Sequence, residues 1–91
     1  MKVKRLEIIQ LRLSGTHRAG LIENMRRSVT GVRELSVRLY FNATVPTDLS
    51  VHVQSECDTG DKQLSDFGVR LAAELRTFGM VQHSSWIEAG L

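Results

Sequence analysis

The stretch LSVRLYFNATVPTDLSVHVQSE, Leu35 to Glu56, is the clearest indication of the fold, because apolar and polar residues alternate through both of its halves. Alternation with a period of two is typical of β-strands, whose successive side chains point to opposite faces. Proline and aspartate in the PTD segment between the halves favour a turn. The stretch therefore predicts a hairpin with a three-residue loop, in which Val45 pairs with Leu49. In the same register Asn42 pairs with His52, and both apolar rows lie on one face of the sheet.

Two further segments have the composition of strands. VKRLEIIQLRL, Val3–Leu13, is rich in Ile and Leu and apolar on both sides near its middle. This pattern predicts a central strand or a bulge between Ile8 and Ile9. MVQHSSWIE, near the C-terminus, predicts a short final strand.

Two other segments carry apolar residues at helical spacing. The first, HRAGLIENMRRSV, follows Thr16, whose hydroxyl can cap a helix, and ends before Gly31, which suits the left-handed conformation after a helix. The second begins at Ser65 or an earlier aspartate and ends at Gly79, and Gly68 lets its backbone approach the sheet. Both helices are expected to cover the same side of the sheet.

The order β-α-β-β-α-β predicts a single domain over residues 1–91 of the α+β class. Two right-handed βαβ crossovers that share one antiparallel sheet give the ferredoxin-like fold. We expect a four-stranded sheet in the spatial order 4-1-3-2, with two helices on one face.

Composition and charge exclude several classes of protein. The chain is 42% hydrophobic and 24% charged, as in ordinary soluble domains, and no apolar run approaches the roughly 20 residues of a membrane span. The single cysteine, Cys57, suits a reducing cytoplasm. No Cys and His cluster has metal-site spacing, so neither a metal nor a cofactor is expected. Most Lys and Arg residues lie in the first 40 positions but are interspersed, which predicts solvated surfaces and no nucleic-acid or membrane partner.

The side of the predicted sheet away from the helices is amphipathic. Its expected members are Leu6, Ile8, Arg38, Tyr40, Asn42, Thr44, Ser50, His52, Gln54, Gln82, Ser84 and Trp86. An exposed patch with aromatic and aliphatic side chains usually marks an interface or a groove. A homodimer joined sheet to sheet is the simplest way to cover it, because a two-fold axis makes the patch self-complementary.

Four residues of this side, Arg38, Tyr40, His52 and Trp86, are candidates for contacting a ligand or a partner. A pocket between two sheets could make His52 an acid–base group, with Asn42 and Trp86 as further candidate catalytic residues. The alternative is a cross-strand pair of His52 and Asn42 that only stabilises the sheet.

The strand VQHSSWI places its two largest candidate site residues, His83 and Trp86, on opposite faces of the sheet. His83 has the parity of Val81 and Ile87, so it should face the helices as a hydrogen-bonded core histidine. Trp86 should face the other side, as an anchor for an interface or for a planar ligand. The two residues are therefore not expected to share a pocket wall.

In element order and length, the whole chain resembles the dimeric α+β barrel superfamily, which includes the antibiotic-biosynthesis-monooxygenase-like proteins. The resemblance implies a homodimer in which two sheets close a barrel, and a cofactor-free enzyme that oxidises or rearranges a small organic molecule. Haem-degrading relatives use an asparagine, a tryptophan and a histidine. Asn42, Trp86 and His52 are present here on different elements from those relatives, so no catalytic role is carried over.

The turn SGTHRAGLIENM, 14–25, resembles the strand-to-helix turn of ACT-type regulatory domains, where a glycine lets an amino acid bind at a dimer interface. Gly15, Thr16, His17 and Gly20 form this candidate loop for an anion or a small ligand. Gly20 lies near the family's glycine, but the segment Thr16-His17-Arg18 stands where that family usually has an acidic residue. The RNA-recognition motif shares the predicted topology, yet LSVHVQSE lacks its stacking aromatics and so excludes it.

Three functional hypotheses follow from the sequence, and whether the protein is an enzyme stays open among them. The first is a homodimer whose role is binding or assembly through the uncovered side of the sheet. The second is a cofactor-independent monooxygenase-like enzyme that acts on a small organic molecule through His52, Asn42 and Trp86. The third is an ACT-like amino-acid-sensing module that uses the turn from Gly15 to Gly20.

Overall fold

Six elements follow one another in the predicted order. The computed structural model describes residues 1–15, 18–32, 35–61 and 63–91. The elements are β1 (Lys2–Leu13), α1 (Arg18–Val29), β2 (Ser36–Phe41), β3 (Asp48–Asp58), α2 (Asp66–Leu75) and β4 (Gly79–Ile87). The strands form one antiparallel sheet in the order β2-β3-β1-β4, which is the predicted 4-1-3-2 order read from the other edge. The chain therefore has the ferredoxin-like α+β fold.

β1 is a regular central strand. It pairs one to one with β3 on one side and with β4 on the other, without an offset at Ile8 or Ile9. The alternative prediction of a bulge at this point is therefore wrong. Ile9 is fully buried, while Ile8 lies on the other side of the sheet, opposite His52 and Ser84.

The β2–β3 hairpin forms, but its register differs from the predicted one. Phe41 pairs with Leu49 in place of Val45, so β2 ends four residues earlier and the three-residue loop is wrong. Because the shift is an even number of residues, both apolar rows still lie on the same side of the sheet.

Asn42 is the physical reason for the early end of β2. Its side-chain oxygen accepts hydrogen bonds from the backbone N–H groups of Thr44 (2.8 Å) and Val45 (2.9 Å). Such a local bond folds the chain into a turn and competes with strand pairing. The predicted pair of Asn42 and His52 is therefore wrong, and Arg38 lies opposite His52.

Both helices cover one side of the sheet and share one core with it. The core consists of Ile9, Leu11, Leu13, Leu21, Met25, Leu49, Val51, Val53, Leu71, Ala72 and Leu75. The molecule measures 43 × 28 × 17 Å, so it is a slab of one sheet and one layer of helices. Within the described part of the chain, no helix is long and apolar enough to cross a membrane.

α2 begins as predicted and ends earlier than predicted. Ser65 caps it, since the Ser65 hydroxyl accepts a hydrogen bond from the Gly68 N–H at 2.9 Å. The helix ends at Leu75, and Gly79, predicted as its end, opens β4 instead. A Cβ at Gly79 would overlap the carbonyl oxygen of Arg12, so close packing of β4 on β1 requires glycine there.

α1 is tied to the turn between β2 and β3. The Arg18 guanidinium lies 4.1 Å from the centre of the Phe41 ring and donates to the carbonyl oxygen of Pro46 at 2.9 Å. After the helix, Gly31 has a φ of +83°, the left-handed conformation that the sequence predicts. The predicted cap at Thr16 lies outside the described residues.

Candidate functional site

The candidate site is the side of the sheet that the helices leave uncovered, which we call the open face. All three strand registers pair even-numbered residues with even-numbered ones, and Ile9 and Val51 show that the odd rows lie under the helices. The open face therefore consists of Lys2, Lys4, Leu6, Ile8, Gln10, Arg12, Ser36, Arg38, Tyr40, Asp48, Ser50, His52, Gln54, Glu56, Asp58, Met80, Gln82, Ser84 and Trp86.

Three of the predicted site residues lie together on β2 and β3. The rings of Tyr40 and His52 have centroids 4.6 Å apart and are inclined by 46°. His52 Nε2 lies 3.0 Å from the Ser50 hydroxyl, and Arg38 is the cross-strand partner of His52. The predicted group of Arg38, Tyr40 and His52 is thus one contiguous surface, to which Ser50 adds a hydroxyl.

The fourth predicted residue, Trp86, lies on β4 at the far side of the sheet. Its side chain is 58% exposed, and its indole N–H donates to the Ser84 hydroxyl at 3.0 Å. Leu6 is its cross-strand neighbour on β1. Met80, on the same face of β4, is 77% exposed. β4 therefore presents two large apolar side chains to solvent.

Charged side chains of the open face lie mainly at the two ends of the sheet. Lys2 and Asp58 are 3.4 Å apart at one end. At the other end the Arg12 guanidinium donates to both carboxylate oxygens of Asp48, at 2.9 and 3.1 Å. This hydrogen bonding holds the pKa of Asp48 below its ordinary value and raises the pKa of Arg12.

Between the charged ends lies a central band that is almost free of charge. It consists of Leu6, Ile8, Gln10, Ser36, Arg38, Tyr40, Ser50, His52, Gln54, Gln82, Ser84 and Trp86. Arg38, on the edge strand β2, is the one Lys, Arg, Asp or Glu residue among them. The band therefore offers aromatic, aliphatic and amide groups across all four strands.

A cleft of about 660 Å³ lies at the Arg12 end of the open face. It is lined by Gln10, Leu11, Arg12, Tyr40, Phe41, Asn42, Asp48, Leu49, Ser50, Met80, Val81 and Gln82. Its volume is within the range of small-molecule sites, roughly 300–1,000 Å³. Of the three candidate catalytic residues, Asn42 lines the cleft, whereas His52 and Trp86 do not. The structure does not gather the three residues around one cavity.

The candidate ligand loop between β1 and α1 is described only in part. Gly15 has a φ of +105°, and Gly20 lies inside α1. A Cβ at Gly20 would meet no atom within 4 Å, so close packing does not require glycine there. Thr16 and His17, the other two members of the loop, lie outside the described residues.

The covered face holds a buried polar cluster that the sequence patterns above do not predict. Glu7 is fully buried. Its Oε1 accepts a hydrogen bond from the Ser65 N–H at 3.0 Å and lies 3.0 Å from His83 Nε2, while its Oε2 accepts from the Ser65 hydroxyl at 2.6 Å. Arg5 Nε lies 3.9 Å from Oε2. The cluster joins β1, β4 and the start of α2.

Strand parity was the signal that could have revealed this cluster. Glu7 belongs to the same odd row of β1 as Ile9, and a carboxylate in a row under helices needs buried donors. His83 Nε2 lies within hydrogen-bonding distance of this carboxylate, and the 8% exposed side chain of His83 confirms the prediction of a hydrogen-bonded core histidine. Gly68 leaves the necessary space, because a Cβ there would overlap Glu7 Oε1. We assign the cluster a structural role, since the helix closes it to solvent.

Among residues 1–15, 18–32, 35–61 and 63–91, no three His, Cys, Asp or Glu side chains are grouped so that they could hold a metal ion. Cys57 is a buried free thiol. Comparisons with protein-family models, with curated proteins and with solved structures gave no match for this chain. The strand order and register establish the ferredoxin-like fold, and the dimeric α+β barrel superfamily stays a resemblance in topology and size.

Proposed function

We propose that this protein is a homodimer whose role is binding, with the open faces of two copies packed against each other. The observation that carries the proposal is the composition of the central band. Interface cores are depleted in charged residues and enriched in aromatic side chains, Met and Arg. The band combines Tyr40 and Trp86, which are 45% and 58% exposed, with one charged residue, Arg38. Removing the two aromatic side chains from water would favour association.

The size of the open face supports the same proposal. The four strands are six to twelve residues long, with a mean between nine and ten. At a spacing of about 4.8 Å they span roughly 19 by 30 Å, on the order of 600 Å² before side-chain relief is counted. A standard interface buries about 800 Å² of accessible surface on each partner. The open face is one of the two broad sides of a slab that is 17 Å thick, so a single contact could cover it.

The charges at the ends of the sheet are compatible with face-to-face packing. Cations and anions are cross-strand partners there, in the pairs Lys2–Asp58, Lys4–Glu56 and Arg12–Asp48. Each end is therefore neutral by itself. Bringing two copies together therefore gathers no excess of like charge at the ends of the sheet, which would otherwise oppose association.

The cleft supports a second candidate function, the binding of a small organic molecule. A second copy on the open face would cover the cleft and exclude water from it. The amide groups of Gln10, Asn42 and Gln82 and the Arg12–Asp48 pair would then orient a ligand that carries hydrogen-bonding groups. A monooxygenase-like activity has less support, because His52 and Trp86 do not line this cleft.

Sedimentation equilibrium of the wild-type chain and two variants tests the proposed dimer. Tyr40→Lys places a charge in the central band, whereas Val69→Lys places the same charge on α2, at a valine that is 49% exposed. We expect Tyr40→Lys to weaken self-association at least ~10-fold, about 1.4 kcal/mol, and Val69→Lys to leave it unchanged. A wild-type mass of 10.2 kDa at high micromolar concentration, or equal effects of the two variants, would contradict the proposal.

A further inference from the structure

The free edge of β4 lacks the features that protect the edges of sheets. β4 pairs with β1 alone in the described part of the chain, so its other side carries unpaired backbone groups. Proteins usually blunt such edges with charges, proline, bulges or short strands. The nine residues GMVQHSSWI contain no Lys, Arg, Asp, Glu or Pro, whereas each of the other three strands contains charged residues. The opposite edge, β2, is six residues long and carries Arg38.

The hydrogen bonds to β1 show which groups of β4 point outward. The Glu88 N–H donates to the Lys4 carbonyl oxygen at 2.9 Å, so these two residues are a hydrogen-bonded pair of the ladder. Hydrogen-bonded and non-hydrogen-bonded pairs alternate along antiparallel strands. Even-numbered residues of β4 therefore bond to β1, and Val81, His83 and Ser85 direct their N–H and C=O groups to the free edge.

We propose that this edge pairs antiparallel with β4 of a second copy, so that two four-stranded sheets join into one. A two-fold axis at His83, the middle residue of β4, overlaps the whole strand. It also places outward-pointing residues opposite each other, as a hydrogen-bonded ladder requires. Such pairing forms on the order of ten backbone hydrogen bonds.

The side chains of β4 are self-complementary in this register. Met80 lies opposite Trp86 of the partner subunit, and the symmetric contact occurs a second time. Both side chains are on the open face, 77% and 58% exposed, and sulfur–aromatic contacts are favourable. Between them, Gln82 lies opposite Ser84 of the partner subunit and can hydrogen-bond with it. A two-fold interface needs this kind of symmetric pattern.

The edge contact can form without the proposed contact between open faces, because its backbone hydrogen bonds lie at the rim of the sheet, although both contacts use Trp86. If both contacts form, two joined sheets pack face to face in an assembly of four chains. If the open faces do not associate, the edge contact alone gives a dimer.

Disulfide trapping tests the edge contact and its register. The variant Gln82→Cys/Ser84→Cys is made in a Cys57→Ala background, so that only the new thiols react. In the proposed register these positions face each other as non-hydrogen-bonded pairs, with Cα atoms about 4.5 Å apart, within the reach of a disulfide, about 4.4–6.8 Å. Sheets packed face to face stand about 10 Å apart, which is too far. We expect mild oxidation to convert most of the double variant into a covalent dimer.

Two controls keep the result specific. Ser84→Cys alone should give less than a tenth of the covalent dimer. In the proposed register the two thiols introduced at position 84 are diagonal neighbours across the strands, not directly opposite each other, so they are farther apart. Ser85→Pro, added to the double variant, removes an outward N–H and should abolish the cross-link, whereas Ser85→Ala should keep it, with folding checked by circular dichroism. If Ser85→Pro unfolds the chain, the comparison with Ser84→Cys decides the question alone.

The outcomes separate the two proposals. If the double variant forms no more covalent dimer than Ser84→Cys does, the edge contact is overturned. This holds even if the Tyr40→Lys variant sediments with a lower mass than the wild type. A strong cross-link that persists with Tyr40→Lys supports the edge contact, whatever happens to the contact between open faces.

Discussion

The two faces of the sheet place charged groups in opposite environments. On the covered face, Glu7 is fully buried, and hydrogen bonds from Ser65 and a contact with His83 compensate for its lost hydration. On the open face, Arg12 and Asp48 form a closer ion pair, yet their side chains are 67% and 27% exposed. Burial without donors makes a carboxylate costly, whereas water screens an exposed pair. The Arg12–Asp48 pair is therefore expected to contribute less to the free energy of unfolding than the buried Glu7 cluster.

This contrast separates the part of the molecule that stabilises the fold from the part that is free to bind. The Glu7 cluster fixes β1, β4 and the start of α2 relative to one another, because every donor must keep its place. The central band of the open face has no comparable constraint, so its side chains can be used for a partner. Three substitutions test this division.

Glu7→Ala should destabilise the fold by disrupting the buried cluster of the covered face. The change leaves Ser65 and His83 without their buried acceptor and opens a cavity, so we expect the free energy of unfolding to fall by about 3–5 kcal/mol. Urea denaturation followed by circular dichroism measures it. The matched control is Glu56→Ala on the open face, where Glu56 is exposed and the loss should stay within about 0.5 kcal/mol. Similar losses in the two variants would show that the faces do not differ in this way.

Gly68→Ala should destabilise the fold by overpacking the same cluster. The new Cβ would overlap Glu7 Oε1 and lie 3.1 Å from His83 Cε1, and overpacking of this kind destabilises by about 1–3 kcal/mol. Gly20→Ala is the control, because α1 leaves open space around Gly20, and there alanine should stabilise by roughly 0.5–1 kcal/mol. Thermal unfolding should show opposite signs, and a stabilising Gly68→Ala would contradict the packing described for the cluster.

Asp48→Asn should have the smallest effect and should depend on pH. The hydrogen bond from Arg12 lowers the pKa of Asp48 in the folded state. The ionised Asp48 carboxylate therefore stabilises the fold at pH values above the pKa of an aspartate in the unfolded chain, about 3.9. This stabilisation is lost as the pH falls through the lower pKa of Asp48 in the folded chain. The midpoint of thermal unfolding should drop less between neutral and acidic pH in Asp48→Asn than in the wild type. Parallel pH profiles would show that the Arg12–Asp48 pair does not contribute.

Much of the fold could be predicted from local patterns. The period-two alternation of Val51 and Val53, the helical spacing of Leu71 and Leu75, and the glycine after α1 are properties of neighbouring residues, so they predict element order, topology and sheet faces. The same parity correctly places His83 under the helices and Trp86 on the open face. The roles proposed for Arg38, Tyr40, His52 and Trp86 stay predictions.

The register of the hairpin could not be predicted from alternation, because a shift by an even number of residues preserves both faces. Two registers were therefore equally compatible with the pattern, and the turn formed by Asn42 selects between them. As a result, Asn42 lines the cleft and does not contact His52 across the strands.

Spacing along the chain indicates which residues form strands and helices, in which order they follow, and which side of each strand is apolar. Which distant groups meet depends instead on how the whole chain folds. Glu7 finds its partners 58 and 76 residues further along the chain, at Ser65 and His83. A carboxylate and its donors carry no local pattern that identifies them as partners, and they meet because the sheet and the crossover to α2 bring them to one buried point.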